Sequence, residues 1–135
     1  MRDIINDYGH NAGKIWNTLF SYGSLDEEKL IKKSQLNKNE FYIGVGWLAR
    51  ENKISKQGLI YELNETNLTD KIGVNAGKVW NTLKSSNNET ITSIAKISKI
   101  SLKDAYYAIG WLARENKVEP ITQNLKNQVI KFQIK

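Results

Sequence analysis

The sequence contains no cysteine and has only one proline, one histidine and one methionine. The absence of cysteine excludes disulfides, thiolate metal ligands and cysteine nucleophiles. No apolar run approaches the roughly 18 residues that a membrane-spanning helix needs, and the N-terminal residues lack the basic-then-apolar pattern of a signal peptide. We therefore expect a cytoplasmic protein that does not associate with membranes.

Residue patterns typical of enzymes are missing as well. The single histidine, His10, is accompanied by no carboxylate cluster, no metal-ligand spacing and no phosphate-binding glycine loop. The glycines near the start of each half are too scattered to form a nucleotide loop. The sequence thus predicts a protein that is not an enzyme, with no cofactor, no metal site and no evident small-molecule ligand.

A long internal repeat dominates what is present. Residues 46–53, with the sequence GWLARENK, recur without change at residues 110–117. Residues 11–19 recur at residues 75–83 with a single isoleucine-to-valine replacement. The offset is 64 residues in both cases, which indicates that a whole structural unit has been duplicated. A unit of about 60 residues buries only about 60% of its unfolded surface, so we expect the two copies to pack against each other.

The same order of elements is predicted in each copy. Apolar residues at helical spacing predict a first helix that is capped by Asn11 and runs to about Tyr22. A brief strand follows, and then a second helix, which in the second copy is capped at Thr92. A tight turn precedes the third helix, which begins at Ser101 in the second copy with a capping-box-like pattern. Alternating apolar residues then predict a two-stranded hairpin.

Three helices and a hairpin, with a tight turn between the second and third helices, resemble a winged helix-turn-helix domain. The segments NAGK(I/V)W and GWLARENK are similar to a family of small archaeal and bacterial winged-helix proteins of unassigned function. The resemblance covers almost the whole chain, twice. It implies a mainly α-helical α+β fold with small hairpins: a first domain over residues 1–63, a linker over 64–70 and a second domain over 71–135. Winged helices mostly bind DNA and also serve as protein-interaction modules, so the fold does not determine the function.

The net charge of +6 favours an anionic partner, with double-stranded DNA first, although a lysine-rich composition also serves solubility alone. Residues 1–63 hold nine basic and eight acidic residues, whereas residues 64–135 hold eleven and six. This imbalance predicts that the second copy supplies most of the DNA affinity.

The positions that a helix-turn-helix presents to DNA form a sparse set here. The candidate DNA contacts are Lys38, Asn39, Tyr42, Lys56, Lys99, Lys103, Tyr106, Tyr107 and Lys126, and possible phosphate contacts are Lys14, Arg50, Lys78 and Arg114. The two arginines either bind phosphate or pair with nearby Glu51 and Glu115. Because no arginine lies in the N-terminal half of either third helix, we predict contact mainly with the DNA backbone.

Two features of the third helices indicate that another part of the protein, or a partner, packs against them. Trp47 and Trp111 would lie on the outer face, where a large apolar ring needs a cover: the hairpin of the same copy, the other copy or an external protein. Gly46 and Gly110 lie in the middle of the helix, where glycine costs about 1 kcal/mol relative to alanine. These glycines predict the close approach of another backbone.

Two functions therefore remain open. The first is a DNA-binding pseudo-dimer, monomeric or weakly homodimeric, that acts at the nucleoid as a transcriptional regulator or an architectural protein. The second is a module that offers an aromatic face to a protein partner, since an exposed aromatic patch usually marks an interface. That face would consist of Tyr42, Ile43 and Trp47, or of Tyr106, Tyr107 and Trp111.

Overall fold

The computed structural model describes residues 3–122 and 130–135 and contains two copies of one unit. The first copy comprises α1 (Ile4–Tyr22), β1 (Leu25–Asp26), α2 (Glu27–Ser34), α3 (Lys38–Arg50), β2 (Ile54–Gln57) and β3 (Ile60–Leu63). After a π-helical turn (Thr69–Gly73), the second copy comprises α4 (Val74–Ser85), β4 (Glu89–Thr90), α5 (Ile91–Ser98), α6 (Leu102–Arg114), β5 (Val118–Thr122) and β6 (Ile130–Ile134). The predicted mainly helical fold with small hairpins is confirmed.

A three-stranded antiparallel sheet closes each copy. The strand order is β1-β3-β2 in the first copy and β4-β6-β5 in the second, so the brief strand before the second helix joins the hairpin. Leu25 lies opposite Tyr61, and Glu89 lies opposite Phe132. Tyr61 and Phe132 are therefore equivalent residues on the two central strands.

Two predicted helix starts are wrong. The first helix begins well before Asn11, because Asp3 caps it by accepting a backbone hydrogen bond at 3.2 Å. The added turns bury Tyr8 against the core of the second copy, which explains the extension. In α5 the cap is Thr90 rather than Thr92, and its side chain accepts a backbone hydrogen bond at 3.3 Å.

Local chemistry sets the turn between the second and third helices in both copies. Gln35 and Lys99 adopt the left-handed conformation, with φ of 61° and 59°, and end α2 and α5. Asn37 then caps α3 and forms the predicted capping box with Glu40, with hydrogen bonds of 2.8 and 2.9 Å. Ser101 caps α6 by accepting a hydrogen bond from the backbone N–H of Asp104 at 3.0 Å.

The two copies share their hydrophobic cores. Tyr107 of α6 packs in the core of the first copy, while Ile43 of α3 and Tyr8 of α1 pack in the core of the second. Leu68 and Ile72, at the junction between the copies, are buried in the first core. The expected packing of the copies on each other is thus confirmed.

Candidate nucleic-acid interface

The third helices, α3 and α6, take the position of the recognition helix in the helix-turn-helix that the sequence resembles, and we use that name for them; they pack directly against each other. A Cβ atom built on Gly46 would collide with the carbonyl oxygen of Tyr107, and one on Gly110 would collide with the carbonyl oxygen of Ile43. Both glycines are needed for such a close approach, which confirms the prediction made for them. We call this contact between α3 and α6 the seam.

The recognition helices run in the same direction across the seam. The ring of Tyr42 lies 5.2 Å from that of Tyr107 near the helix starts, and Arg50 pairs with Glu115 at 3.0 Å near the helix ends. Both pairs join residues 65 positions apart, close to the repeat offset. The N-terminal ends of α3 and α6 therefore emerge on the same side of the molecule.

This geometry limits how the helices meet DNA. Eight residues separate the start of α3 from Gly46, a distance of about 12 Å along the helix. Even at a right-angle crossing, the two N-terminal ends would lie only about 20 Å apart. Dimers that read successive major grooves place their recognition helices about 34 Å apart, and one groove of about 12 Å admits a single helix. The pair is therefore not arranged to read two half-sites.

The seam covers much of the aromatic face of the recognition helices. Tyr42 is 9% exposed, Ile43 6% and Tyr107 5%. Tyr42 and Tyr107 were predicted as DNA contacts, and the structure corrects this because their rings face each other inside the protein. Tyr106 is half-buried. The same burial removes Tyr42, Ile43 and Tyr107 from the alternative protein-interaction face, whereas Trp47 and Trp111 are half-buried, so that alternative stays a prediction.

The tryptophans of the third helices, Trp47 and Trp111, are half-buried, and residues of the same chain cover part of each ring. Trp47 packs against Gly9 of α1, where a Cβ would meet the ring at 3.0 Å, and the Arg114 guanidinium lies 6.0 Å from the ring centroid. A Cβ on Gly73 would meet the Trp111 ring at 3.1 Å, and the Arg50 guanidinium lies 5.8 Å from the centroid of that ring. Of the three predicted covers, the other copy is confirmed for both rings, whereas α1, which also covers Trp47, was not among those predicted.

The arginines of the repeat form ion pairs across the seam. Arg50 pairs with Glu115 at 3.0 Å, and Arg114 pairs with Glu51 at 2.9 Å. The arginine side chains are 46% and 47% exposed, so each pair contributes at most about 1 kcal/mol. Their structural role was one of the two predicted, the other being phosphate binding.

On one side of the seam, a network of hydrogen bonds joins the two copies. The carboxylate of Glu27 accepts hydrogen bonds from Tyr61 at 2.9 Å, from Tyr42 at 3.2 Å and from Lys103 at 3.4 Å. The hydroxyls of Tyr61 and Tyr107 are 2.7 Å apart. Because Tyr61 donates its hydrogen to Glu27, Tyr107 must donate to Tyr61. The network therefore links α2, α3 and β3 of the first copy to α6 of the second.

The environment of the network shifts the pKa values of its members. Burial alone would raise the pKa of Glu27, but the hydrogen bond from Tyr61 and the charge of Lys103 outweigh it, and the pKa is lowered. Burial, together with the neighbouring Tyr107 and Glu27, raises the pKa of Tyr61 far above its usual value. Glu27 is therefore ionised and Tyr61 neutral at physiological pH.

Three of the five equivalent positions on the other side of the seam are apolar, and the other two are Tyr106 and Asn39. The carboxylate and two of the tyrosines of the network correspond, by the repeat and the sheet register, to Ile91, Ile43 and Phe132. The equivalent residues therefore cannot form the same network, and the seam has one side that is more polar than the other.

Three lysines from three elements interact electrostatically, and we call them the basic cluster: Lys56 of β2, Lys71 of the π-helical turn and Lys103 of α6. Lys56 Nζ lies 5.3 Å from the ring centroid of Tyr61, and Lys103 Nζ lies 5.0 Å from that of Tyr42. Burial and the positive charges of Lys103 and Lys71 lower the pKa of Lys56, although Glu27 and Asp104 oppose them. The cluster thus combines charges from both copies and from the junction between them.

Comparison with known proteins places this fold in a family. Residues 1–67 and 63–131 each match the model of the winged helix-turn-helix domain (DUF2582). The chain belongs to this family. The uncharacterized protein MJ1608 of Methanocaldococcus jannaschii is 41% identical over 56 residues, which make up 80% of that protein and 40% of this chain. No solved structure matches the chain significantly.

Membership of this winged helix-turn-helix family confirms the predicted resemblance and the duplicated fold. Winged helix-turn-helix domains generally bind double-stranded DNA or act in regulation, which is the general role that the family suggests for this chain. The predicted boundaries at residues 63 and 71 stay a prediction.

The remaining candidate contacts of this winged helix-turn-helix protein are spread over several elements. Lys38 and Asn39 are exposed at the start of α3, and Lys99 is exposed just before α6. The first-turn lysines of the repeat, Lys14 and Lys78, are exposed on α1 and α4. Lys126 lies outside the described residues.

Sequence reasoning did not find Lys71 or the role of Glu27 in the network. In the sequence, Glu27 is one of several charges near the start of a helix, and Lys71 is one of the many lysines of the second domain. Their partners lie far away in sequence, so no local pattern marks them.

Within residues 3–122 and 130–135, no helix is long and apolar enough to cross a membrane, and no group of three acidic or histidine side chains is placed to hold a metal ion.

Proposed function

We propose that the protein binds duplex DNA mainly through the sugar-phosphate backbone, using one basic surface formed jointly by the two copies. The observation that carries the proposal is the same-direction packing of α3 and α6, with the basic cluster of Lys56, Lys71 and Lys103 gathered beside it. Lys38, exposed at the start of α3, adds a cation at the same end of the helices.

The electrostatics of the cluster suit a phosphate. Burial first, and then the charges of Lys103 and Lys71, disfavour the charged form of Lys56 against the opposing Glu27 and Asp104, and a phosphate placed beside this lysine would stabilise its charge further. Lys103 shares Glu27 with two tyrosines, and its ion pair is 40% exposed on the lysine side, so turning the lysine towards a phosphate costs little. Each lysine that neutralises a phosphate also releases counterions, which favours binding at low salt.

The geometry favours a particular kind of DNA-binding protein. Because the recognition helices are not arranged to read two half-sites, we propose an architectural, nucleoid-associated role in preference to a sequence-specific regulator. The faces of α3 and α6 through which two chains could pair already pack against each other within one chain. This packing supports a monomer with an internal pseudo-dimer. The proposal assigns binding and no catalysis, and it implies a cytoplasmic location at the nucleoid.

The joint surface also changes the expected division of labour between the copies. The charge imbalance predicted that the second copy leads in affinity. Lys56 belongs to the first copy and Lys103 to the second, yet both belong to one cluster. We therefore propose that affinity depends on the cluster and does not divide by copy.

Fluorescence anisotropy with random-sequence duplex DNA tests the proposal. Lys56→Gln with Lys103→Gln should weaken binding and reduce the slope of log affinity against log salt by about two, roughly one for each lysine. The matched control removes two charges outside the cluster: Lys84→Gln, beside Trp80, and Lys135→Gln, beside Asn116. The control should change the slope by much less.

Three results would count against the proposal. A wild-type protein that fails to bind any duplex at micromolar concentration and low salt would remove DNA binding altogether. Equal losses in the cluster variant and the control would show that only net charge matters. A strong preference for one duplex sequence over unrelated ones would argue for a regulator and against the backbone mode.

A further inference from the structure

Two of the nine glycines are explained neither by packing nor by backbone conformation. A Cβ atom on Gly13 of α1 or on Gly77 of α4 would meet nothing within 4 Å. Both lie inside helices, where glycine is less favourable than alanine. The other seven have either a positive φ or a close neighbour: Gly9, Gly23, Gly44, Gly46, Gly58, Gly73 and Gly110. The unexplained pair occupies equivalent positions of the repeat, so open space at this point has been kept twice.

In the first copy this space is a cleft of about 310 Å³ between α1 and the C-terminal end of α3. Its walls include Trp16 and Trp47, and its polar groups are Asn17, Glu51 and Lys53, with Gly13 forming part of the surface. The volume lies at the lower end of the range for small-molecule pockets. We call it the glycine cleft.

All nine residues that line the glycine cleft recur unchanged 64 positions later. By contrast, α2 and α5 share only two of eight residues. Packing accounts for buried members such as Leu48, but Asn17 and Lys53 are exposed, and exposed positions tolerate most substitutions. The fold alone therefore does not account for the repeated set.

The chemistry of the cleft indicates the ligand. The two tryptophans offer aromatic surface, and Asn17 offers an amide that donates and accepts hydrogen bonds. Glu51 is already paired with Arg114 at 2.9 Å, whereas Lys53 is 3.6 Å from Glu51 and its side chain is 51% exposed. With the carboxylate neutralised, Lys53 is the cation that remains available to a ligand.

We propose that each copy binds a flat aromatic ring carrying an anionic group, which is the chemistry of a nucleotide. The ring lies over Gly13 beside the tryptophans, its polar edge meets Asn17, and its anionic group meets Lys53. In the second copy the equivalent residues are Gly77, Asn81 and Lys117. The cleft lining shares no residue with the basic cluster or with Lys38, although Lys53 lies only three residues before Lys56, so this site does not depend on the proposed duplex surface.

Calorimetry and tryptophan fluorescence with adenosine 5′-monophosphate test the proposal in the intact chain. The wild-type protein should bind two molecules per chain with quenching of tryptophan emission. Adenosine, which lacks the phosphate, should bind at least ten-fold more weakly. Gly13→Leu should leave one site, and Gly13→Leu with Gly77→Leu should leave none, because the new side chains fill the clefts.

The variants are expected to fold, since leucine is a stronger helix former than glycine and its Cβ meets no neighbour. Circular dichroism checks the fold, and Ser21→Leu places the same bulk on an exposed position of α1 outside the cleft as a control. Duplex affinity of the double variant should stay within two-fold of the wild type, so the two proposals fail separately.

A single-stranded thymidine oligonucleotide identifies the source of the nucleotide. Tighter binding of the strand than of the monophosphate, lost in the double variant, supports the proposal with a nucleic-acid strand as the source. Equal binding supports free nucleotides. Absence of binding by both probes, or unchanged binding by the double variant, would overturn the proposal.

Discussion

Gly46→Ala is the most direct test of the seam. The added methyl group would lie 2.8 Å from the carbonyl carbon of Tyr107 and 3.1 Å from the backbone nitrogen of Trp111, and closer still to the carbonyl oxygen of Tyr107. These are backbone atoms of a helix and cannot turn aside as a side chain can. Since carbon atoms pack at about 3.5–4.0 Å, α3 and α6 must separate by about 1 Å.

The cost can be estimated from known effects. Overpacking of this kind destabilises by about 1–3 kcal/mol. Partial exposure of the buried Tyr107 and Ile43 adds about 1 kcal/mol, and the better helix propensity of alanine returns about 1 kcal/mol. The net loss is about 1–3 kcal/mol. At roughly 3.5 °C per kcal/mol for 135 residues, Tm should fall by about 4–11 °C.

Differential scanning calorimetry and urea unfolding measure this loss. Gly110→Ala should lose as much, because its Cβ meets the equivalent atoms at nearly the same distances. Gly13→Ala is the matched control and should gain up to about 1 kcal/mol, since its Cβ meets nothing. The reasoning is refuted if Gly46→Ala is as stable as the wild type, or if all three variants shift Tm alike.

Three further outcomes are expected. Tyr61→Phe should lose about 1–2 kcal/mol in urea unfolding, because Glu27 and Tyr107 each lose a hydrogen-bond partner. Because the pKa of Glu27 is lowered in the folded protein, its ionisation stabilises the fold above its unfolded pKa, and this stabilisation is lost as pH falls through the folded pKa. Tyr61→Phe should therefore also lose less stability than the wild type on acidification. An unchanged acid transition would contradict the role of Tyr61. Lys56→Gln should raise Tm slightly at neutral pH, because the lowered pKa of Lys56 means that folding disfavours the charged lysine. The Tm difference between variant and wild type should become smaller as pH rises towards the ordinary pKa of lysine. A Tm below that of the wild type would contradict this prediction. A double-mutant cycle of Arg50→Met and Glu115→Gln should give a coupling of about 0.2–1 kcal/mol that shrinks with salt, and a larger, salt-insensitive value would mean that the pair is not a surface ion pair.

Much of the fold was predictable because its determinants are local. The capping box of Asn37 and Glu40 and the turn before α3 depend on neighbouring residues alone. The close approach at Gly46 was also predictable, since a glycine inside a helix needs a reason. The start of α1 was not, because Tyr8 extends that helix only by packing on the other copy.

The candidate site was less predictable, since its residues come from separate elements. Tyr42 and Tyr107 carry the same chemistry whether they face DNA or each other, and only the packing of the copies buries them. Lys56, Lys71 and Lys103 are distant in the chain, so no spacing rule joins them. The open space at Gly13 likewise becomes visible only when every neighbouring atom is in place.

The sequence by itself determined that one winged helix-turn-helix unit occurs twice, because repeats, helix caps and hydrophobic periodicity each depend on residues that are close together in the chain. The tertiary structure decided how the two units meet. Two nearly identical helix faces can pack in the same or in opposite directions with the same residues, and the choice depends on contacts between side chains about 64 positions apart. That choice buries much of the aromatic face, makes one side of the seam more polar than the other and brings the lysines of both copies together.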